Sequence, residues 1–371
     1  MLSASTKTFN ILKGSKYARK ALYNADDPMK PRASIAASEG RRTVLISQVP
    51  KHTFQCMTLN VLSDLITNIA INRYVDSDGL LNIYAGKDYT NTRKLQILAL
   101  IKERMDERGF ICLQEVSHEF RTHPEFVALL ERNGYGIVSA CYGFMLTNTP
   151  PRKAVFGHLG VAVLYPLDHF EMMEYAQVGY AIAETEPNRR KFESHKFVVA
   201  TFVHLRSGQM ITVASVHLPF GVQDKASLID GLKKDINDFA KGNPVLVCGD
   251  MNIDALKGDM TYIDSMMEDG YEDVLNAIRP DVVTAVASLQ GTAGLQQLAV
   301  DYVSFRGKQH GMTVNPVESW ETALHSSYPI PNAFFPSDHL PVEFVVSFAK
   351  QAVSPDAYER QLQCITALLW S

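Results

Sequence analysis

Val245-Leu246-Val247-Cys248-Gly249-Asp250-Met251-Asn252-Ile253-Asp254 is the stretch on which the reading of this chain turns. An apolar run meets Gly249, and an acid and an amide follow two positions apart. A run of this kind reads as a buried strand. The glycine permits a sharp turn and close backbone approach. Asp250 and Asn252 then project on one side of the strand end, because side chains alternate. A carboxylate there can orient and deprotonate water, and an amide can donate to a phosphoryl oxygen. The same pair also makes an Asx-turn, so the segment gains meaning only from its company.

That company is regular. Asn60 stands in TLNVL, Glu115 in CLQEV, His217 in SVHLPF, Asp301 in VDYVSF and Asp338-His339 in PSDHLPV. Most of these islands pair an apolar stretch with an acid, amide or imidazole. A carboxylate at the end of a buried strand is costly unless it meets a cation or a proton. Several such ends in one chain point to a single site that handles a metal and a phosphate. Glu115 has no cation near it in sequence. Its natural partner is a hard divalent ion, Mg2+ with Mn2+ as the alternative. The competing readings are a buried acid with a helix or arginine partner, and packed, hydrogen-bonded Asn60 and His217.

Outward from the islands, the pattern is strand-rich with interleaved helices. FQCMTLNVL, FICLQEV, GHLGVAVLY, FVVATFVHL, MITVASVHL, VLVCGD, AVDYVSF and LPVEFVVSF read as strands, with TVLISQV beside the first. Helices are expected over residues 92–108, with a stripe of Leu95, Leu98, Ile101 and Met105 and a stop at Gly109, over 125–133, and over 225–241. Hairpins mixed with helical crossovers predict an α/β fold: two mixed sheets packed face to face with helices outside, a four-layer αββα sandwich.

The 371 residues are 46% apolar and 20% charged, as in a soluble globular protein. A net charge of -4 does not announce a nucleic-acid binder, although a local basic rim would suffice. The five cysteines form no CxxC pair, which argues against a zinc ribbon or a disulfide framework and for a reducing compartment. Cys56, Cys112 and Cys248 read as small core residues. No apolar run is long enough to span a bilayer. Residues 1–42 are basic and lack acids until Asp26, which fits a mitochondrial transit segment or a solvated tail. The expected location is therefore the cytoplasm or the mitochondrion, without secretion. Residues 43–349 read as one catalytic domain. Residues 350–371 read as a helical extension, with Tyr358, Leu362, Ile365 and Leu369 at helical spacing, which could dock on its own domain or on a protein partner.

In order and identity, the islands between about residues 50 and 348 resemble the endonuclease/exonuclease/phosphatase superfamily, whose fold is that of deoxyribonuclease I. The resemblance implies roles. Glu115 corresponds to the principal metal ligand, with Asn60 helping to position the metal. His217 corresponds to an imidazole on the scissile phosphate, Asp250 to the residue that activates water, and Asn252 to one that orients the phosphate. Asp301 corresponds to an acid that supports the leaving side. Asp338 corresponds to the acid paired with His339, and His339 to a phosphate-contacting imidazole. Asp254 has no counterpart.

TLNVLSD, CLQEV, VDYVSF and FPSDHLPV are most similar to the deadenylase branch, with nocturnin, Angel proteins and the 2′-phosphodiesterase. This implies a 3′-exonuclease acting on single-stranded RNA. Inositol-polyphosphate 5-phosphatases fit less well, since the chain reads GDMNID and QLAVDYV where they carry other signatures. Sphingomyelinase and DNA-repair endonuclease readings lack a specific motif, and a catalytically retired RNA-binding or assembly protein is the non-enzymatic alternative. One departure stands out: the branch usually places an aromatic shortly before the DY motif, whereas residues 294–299 hold none. Phe220, Phe305, Phe334 and Phe335 are substitute platforms for a base, and Arg152, Lys153 and His158 a candidate phosphate rim.

Overall fold

The computed structural model describes residues 12–13, 53–63, 87–145, 154–182, 186, 195–274, 283–287, 296–317 and 336–348. Two sheets carry the fold. The first runs in the order β1 (Leu12–Lys13), β6 (Phe170–Gly179), β7 (Lys196–His204), β8 (Met210–His217), β9 (Val245–Asp250), β13 (Asp301–Arg306), β10 (Glu272–Asp273). The second runs β14 (Met312–Pro316), β15 (Val342–Phe348), β2 (Thr53–Asn60), β3 (Arg108–Gln114), β5 (Ala154–Pro166), β4 (Tyr135–Met145). A small hairpin joins β11 (Ala285–Ala287) to β12 (Gln296–Leu298). Both sheets are mixed, with the parallel pairs β8–β9 and β2–β3 near their centres.

The central runs are continuously apolar because both of their faces are buried. On β2, Phe54 and Cys56 enter the core between the sheets, while Met57 and Leu59 pack outward. On β3 the inward residues are Phe110 and Cys112, and on β9 they are Leu246 and Cys248. Helices α1 (Lys87–Met105), α2 (His118–Thr122) and α3 (Pro124–Asn133) cover the outer face of the second sheet through Ile97, Ile101, Phe120, Phe126 and Leu130. Helices α4 (Lys225–Ala240) and α5 (Thr261–Glu268) cover the first through Leu232, Ile236, Phe239 and Ile263. The layers are α, β, β, α, as the pattern predicts.

Two details of α1 correct the sequence reading. Leu95 is 54% exposed, and Ile97 takes the inward position with Ile101 and Met105. Gly109 does not stop the helix; the chain turns at Arg108, with φ +61, and Gly109 lies inside β3. A Cβ on Gly109 would stand 1.9 Å from the Gln55 carbonyl oxygen, so glycine is needed there for the approach to β2. Helix α3 does end at Gly134, which caps it at φ +63. The stretch TVLISQV and the C-terminal extension lie outside the described residues. Of the N-terminal tail, Leu12 and Lys13 pair with the edge strand β6.

Candidate active site

The register of the first sheet sets three islands in a row: His217 pairs with Asp250, and Asp250 with Asp301. In the second sheet Asn60 pairs with Gln114, which places Glu115 one residue beyond the strand. Both parallel pairs end at the same pole, and Asp338-His339 lead into β15 there. Gly249 makes the row compact, since a Cβ on it would meet the Val216 carbonyl oxygen at 1.9 Å. Leu62, Glu115 and Asn252 have φ of 53°, 58° and 50°, a conformation that costs side-chain-bearing residues about 1–3 kcal/mol each. The strain is held locally. Leu62 N donates to Asn60 Oδ1 at 3.0 Å, and Asn252 N donates to Asp250 Oδ1 at 2.8 Å.

Asp250 Oδ2 is the centre. Asn60 Nδ2 donates to it at 3.1 Å and to Glu115 Oε1 at 3.2 Å, and Ser63 N donates to Glu115 Oε2 at 2.8 Å. His217 Nε2 and His339 Nε2 each lie 3.7 Å from Asp250 Oδ2. All of these residues are buried.

His339 Nδ1 pairs with Asp301 Oδ2 at 2.8 Å, whereas its sequence neighbour Asp338 reaches only to 3.9 Å. The expected Asp338–His339 pair is therefore corrected to Asp301–His339. Adjacent residues of extended chain point to opposite sides, so His339 finds its acid across strands. Burial opposes charge on the His339 ring, but the carboxylates of Asp301 and Asp250 override it and hold the ring pKa well above the usual histidine value. Burial raises Asp301 as well, with the His339 charge working against it. Each carboxylate near the His339 ring thus favours the ring's charged form. Thr284 Oγ1 accepts from the backbone N–H of Val300 and Asp301, which fixes the start of β13.

His217 is held differently. Its Nδ1 is 3.0 Å from the hydroxyl of Tyr142, and Tyr180 hydrogen-bonds its backbone. Burial raises the Tyr142 phenol well above its normal value, so this partner is neutral.

Asn60 presents its NH2 group to the acids and bridges Glu115 to Asp250. Asn252 Nδ2 donates to Leu218 O at 2.8 Å, which ties the His217–Phe220 loop to the end of β9 and leaves one amide hydrogen for a ligand. Phe220 is 64% exposed on that loop, whereas Phe305 is 2% exposed in the core and is no platform. Arg152, Lys153, Phe334, Phe335 and the side chain of His158 lie outside the described residues. Where an aromatic was lacking, β12 presents an exposed Gln297. Asp254 caps the turn at Ala255–Lys257 and accepts from Ala299 N at 3.0 Å, a structural role.

The donor set suits a hard divalent cation. Asp338 Oδ1 is buried without a hydrogen-bond partner, and burial pushes its carboxyl up to about 6, against the charge of His339. Such an oxygen beside Glu115 is what Mg2+ would satisfy. Ligand atoms of Asp250, Asp301 and His339 also lie within 4.8 Å of one another. With Asp301 on Nδ1, His339 has only Nε2 left to offer a ligand.

Residues 57–339 match the model of the Endonuclease/Exonuclease/phosphatase family. The chain belongs to this family. Members of this family are generally hydrolases of phosphate ester bonds. Among curated proteins, the uncharacterized protein YbhP of Escherichia coli is 27% identical over 184 residues, 47% of this chain and 66% of that protein. The match thus spans just under two thirds of that relative. Among solved structures, the human nocturnin catalytic domain with bound sulfate is 19% identical, with 81% of this chain and 96% of that one covered and a TM-score of 0.54. ANGEL2, a 2′,3′-cyclic phosphatase in complex with adenosine-2′,3′-vanadate, is 18% identical, with 80% and 96% covered and a TM-score of 0.60. Both share the fold. No helix among the described residues is long and apolar enough to cross a membrane.

Proposed function

We propose that the chain is a Mg2+-dependent phosphodiester hydrolase that removes nucleotides from the 3′ end of single-stranded RNA. The observation that carries the reading is the convergence of Asn60, Glu115, His217, Asp250, Asp301 and His339 around Asp250 Oδ2. Asp250, held by Asn252 N on one oxygen and Asn60 on the other, orients water and takes its proton. In-line attack on phosphorus forms the new P–O bond as the bond to the 3′-oxygen of the preceding nucleotide breaks. Charge builds on the non-bridging oxygens and on that leaving oxygen, which ends as a hydroxyl with the proton taken from water. The His339 imidazolium, His217 and the free amide hydrogen of Asn252 donate to those oxygens. Glu115 and Asp338 would hold the cation, which supplies positive charge beside the phosphoryl group when bound. Phe220, exposed on the loop that follows His217, offers a face for a base; such stacking contributes about 1–3 kcal/mol.

The test is a panel of 5′-labelled oligo(A), mixed-sequence RNA, DNA, RNA with 2′,3′-cyclic ends, and inositol phosphates, each with Mg2+ or EDTA. Stepwise shortening of RNA that EDTA abolishes is the expected result. Intact RNA beside hydrolysed inositol phosphate or opened cyclic ends would overturn the substrate. No hydrolysis of any member would favour a retired, binding-only protein.

A further inference from the structure

Among the described residues, Arg93 is the largest of the fully buried side chains, at 2% exposure. It projects from α1, whose Ile97 and Ile101 anchor the helix on the second sheet. Its Nη1 donates to Val61 O at 2.8 Å and to Pro336 O at 3.2 Å. Those carbonyls belong to two segments that build the site. The first, Asn60–Ser63, holds Glu115 through Ser63 N and bridges Glu115 to Asp250 through Asn60. The second, Pro336–His339, carries Asp338 and His339. Ser337 crosses the same gap: its hydroxyl donates to Asn60 O at 2.6 Å and accepts from His339 N at 3.2 Å.

A buried guanidinium is costly, and a well-packed apolar side chain in such a place is commonly as stable or more so. What arginine adds is reach: Nη1, one bond farther from the helix than a lysine ammonium, puts one hydrogen on each carbonyl, and a shorter lysine does not hold both in the same geometry. We infer that Arg93 is a positioning residue: with Ser337 it bolts the Glu115-holding segment to the segment of Asp338 and His339. Cation-side and phosphate-side groups thereby keep one spacing. The inference rests on the hydrolase reading above, but one of its tests does not.

The experiment compares the wild type with Arg93→Lys, Ser337→Ala and the double variant, each confirmed folded by circular dichroism and thermal melting. Arg93→Lys should lower kcat by about 10–100-fold, the usual loss when a supporting residue behind a metal site is changed, with KM nearly unchanged. Because both residues span one joint, the loss in the double variant should depart from the product of the single losses. Independently of activity, the downfield proton resonance of His339 Nδ1–H should broaden or shift in Arg93→Lys. Wild-type kcat with an unmoved resonance would overturn the inference, as would strictly multiplicative losses. A wild type that hydrolyses no phosphoester would sink the functional reading alone, and the resonance would still decide for or against Arg93.

Discussion

His217 and His339 reach the same oxygen of Asp250 at the same 3.7 Å, yet they are built as opposites. His217 ends a strand of the first sheet and is backed by Tyr142 from the second. His339 leads into a strand of the second sheet and is backed by Asp301 from the first. Each ring is thus gripped from across the sandwich, one by a neutral phenol and the other by a carboxylate. The carboxylate fixes a positive charge where a phosphate would develop negative charge. The phenol fixes only a direction. Two rings that look equivalent from Asp250 would, on the proposed function, divide the work into charge and aim.

The largest effect should come from what the two halves share. Asp250→Asn removes the acceptor that both rings face, and kcat for phosphodiester hydrolysis should fall by about 10²–10⁴-fold. Next, Asp301→Asn strips the charge from behind His339 while keeping its shape. Steady-state kcat should drop by about 10²-fold, and the ring should titrate nearer the ordinary histidine value of about 6.5 by NMR. The sign for stability follows. A histidine pKa raised by folding contributes stability that is complete below the unfolded value and lost as pH rises through the folded one. In Asp301→Asn that loss should be smaller and end at lower pH, as read from thermal melts from neutral into the alkaline range. Tyr142→Phe should cost least within the site, about 10-fold in kcat, the low end for a supporting residue. If it costs as much as Asp301→Asn, the division into charge and aim is wrong.

The smallest effect lies far from the site and serves as a control. Hydrogen bonds from His169 and Arg108 outweigh the burial of Asp168 and take its pKa from 3.8 to about 2. A lowered carboxyl pKa gives stability present above the unfolded value and lost as pH falls through the folded one. Asp168→Asn should flatten the fall in melting temperature between those two values and leave kcat untouched.

The fold was legible because burial on both faces turns the central strands into unbroken apolar runs, and the site because each run ends in a polar residue. Both signals are local. Most of the groups that grip the site carry no such mark: Tyr142, Tyr180, Thr284 and Arg93 come from stretches whose pattern says nothing of Asp250. The pairing of His339 was misread for the same reason, since contact across strands is not contact along the chain. At α1 the stripe held at Leu98, Ile101 and Met105 and failed only at Leu95. Leu95 and Ile97 are both apolar, and only packing against β2 and β3 decides which one turns inward.

The antiparallel pairing of β2 with β15 has a practical side. Asn60 ends β2 at the pole of Asp250, so Thr53 and Ser347 meet at the other pole, where their hydroxyls lie 3.2 Å apart. The chain enters β2 and leaves β15 at the back of the reaction centre. A surface, dye or affinity handle joined just before Thr53 or just after Phe348 would hold the molecule by the pole opposite Asp250.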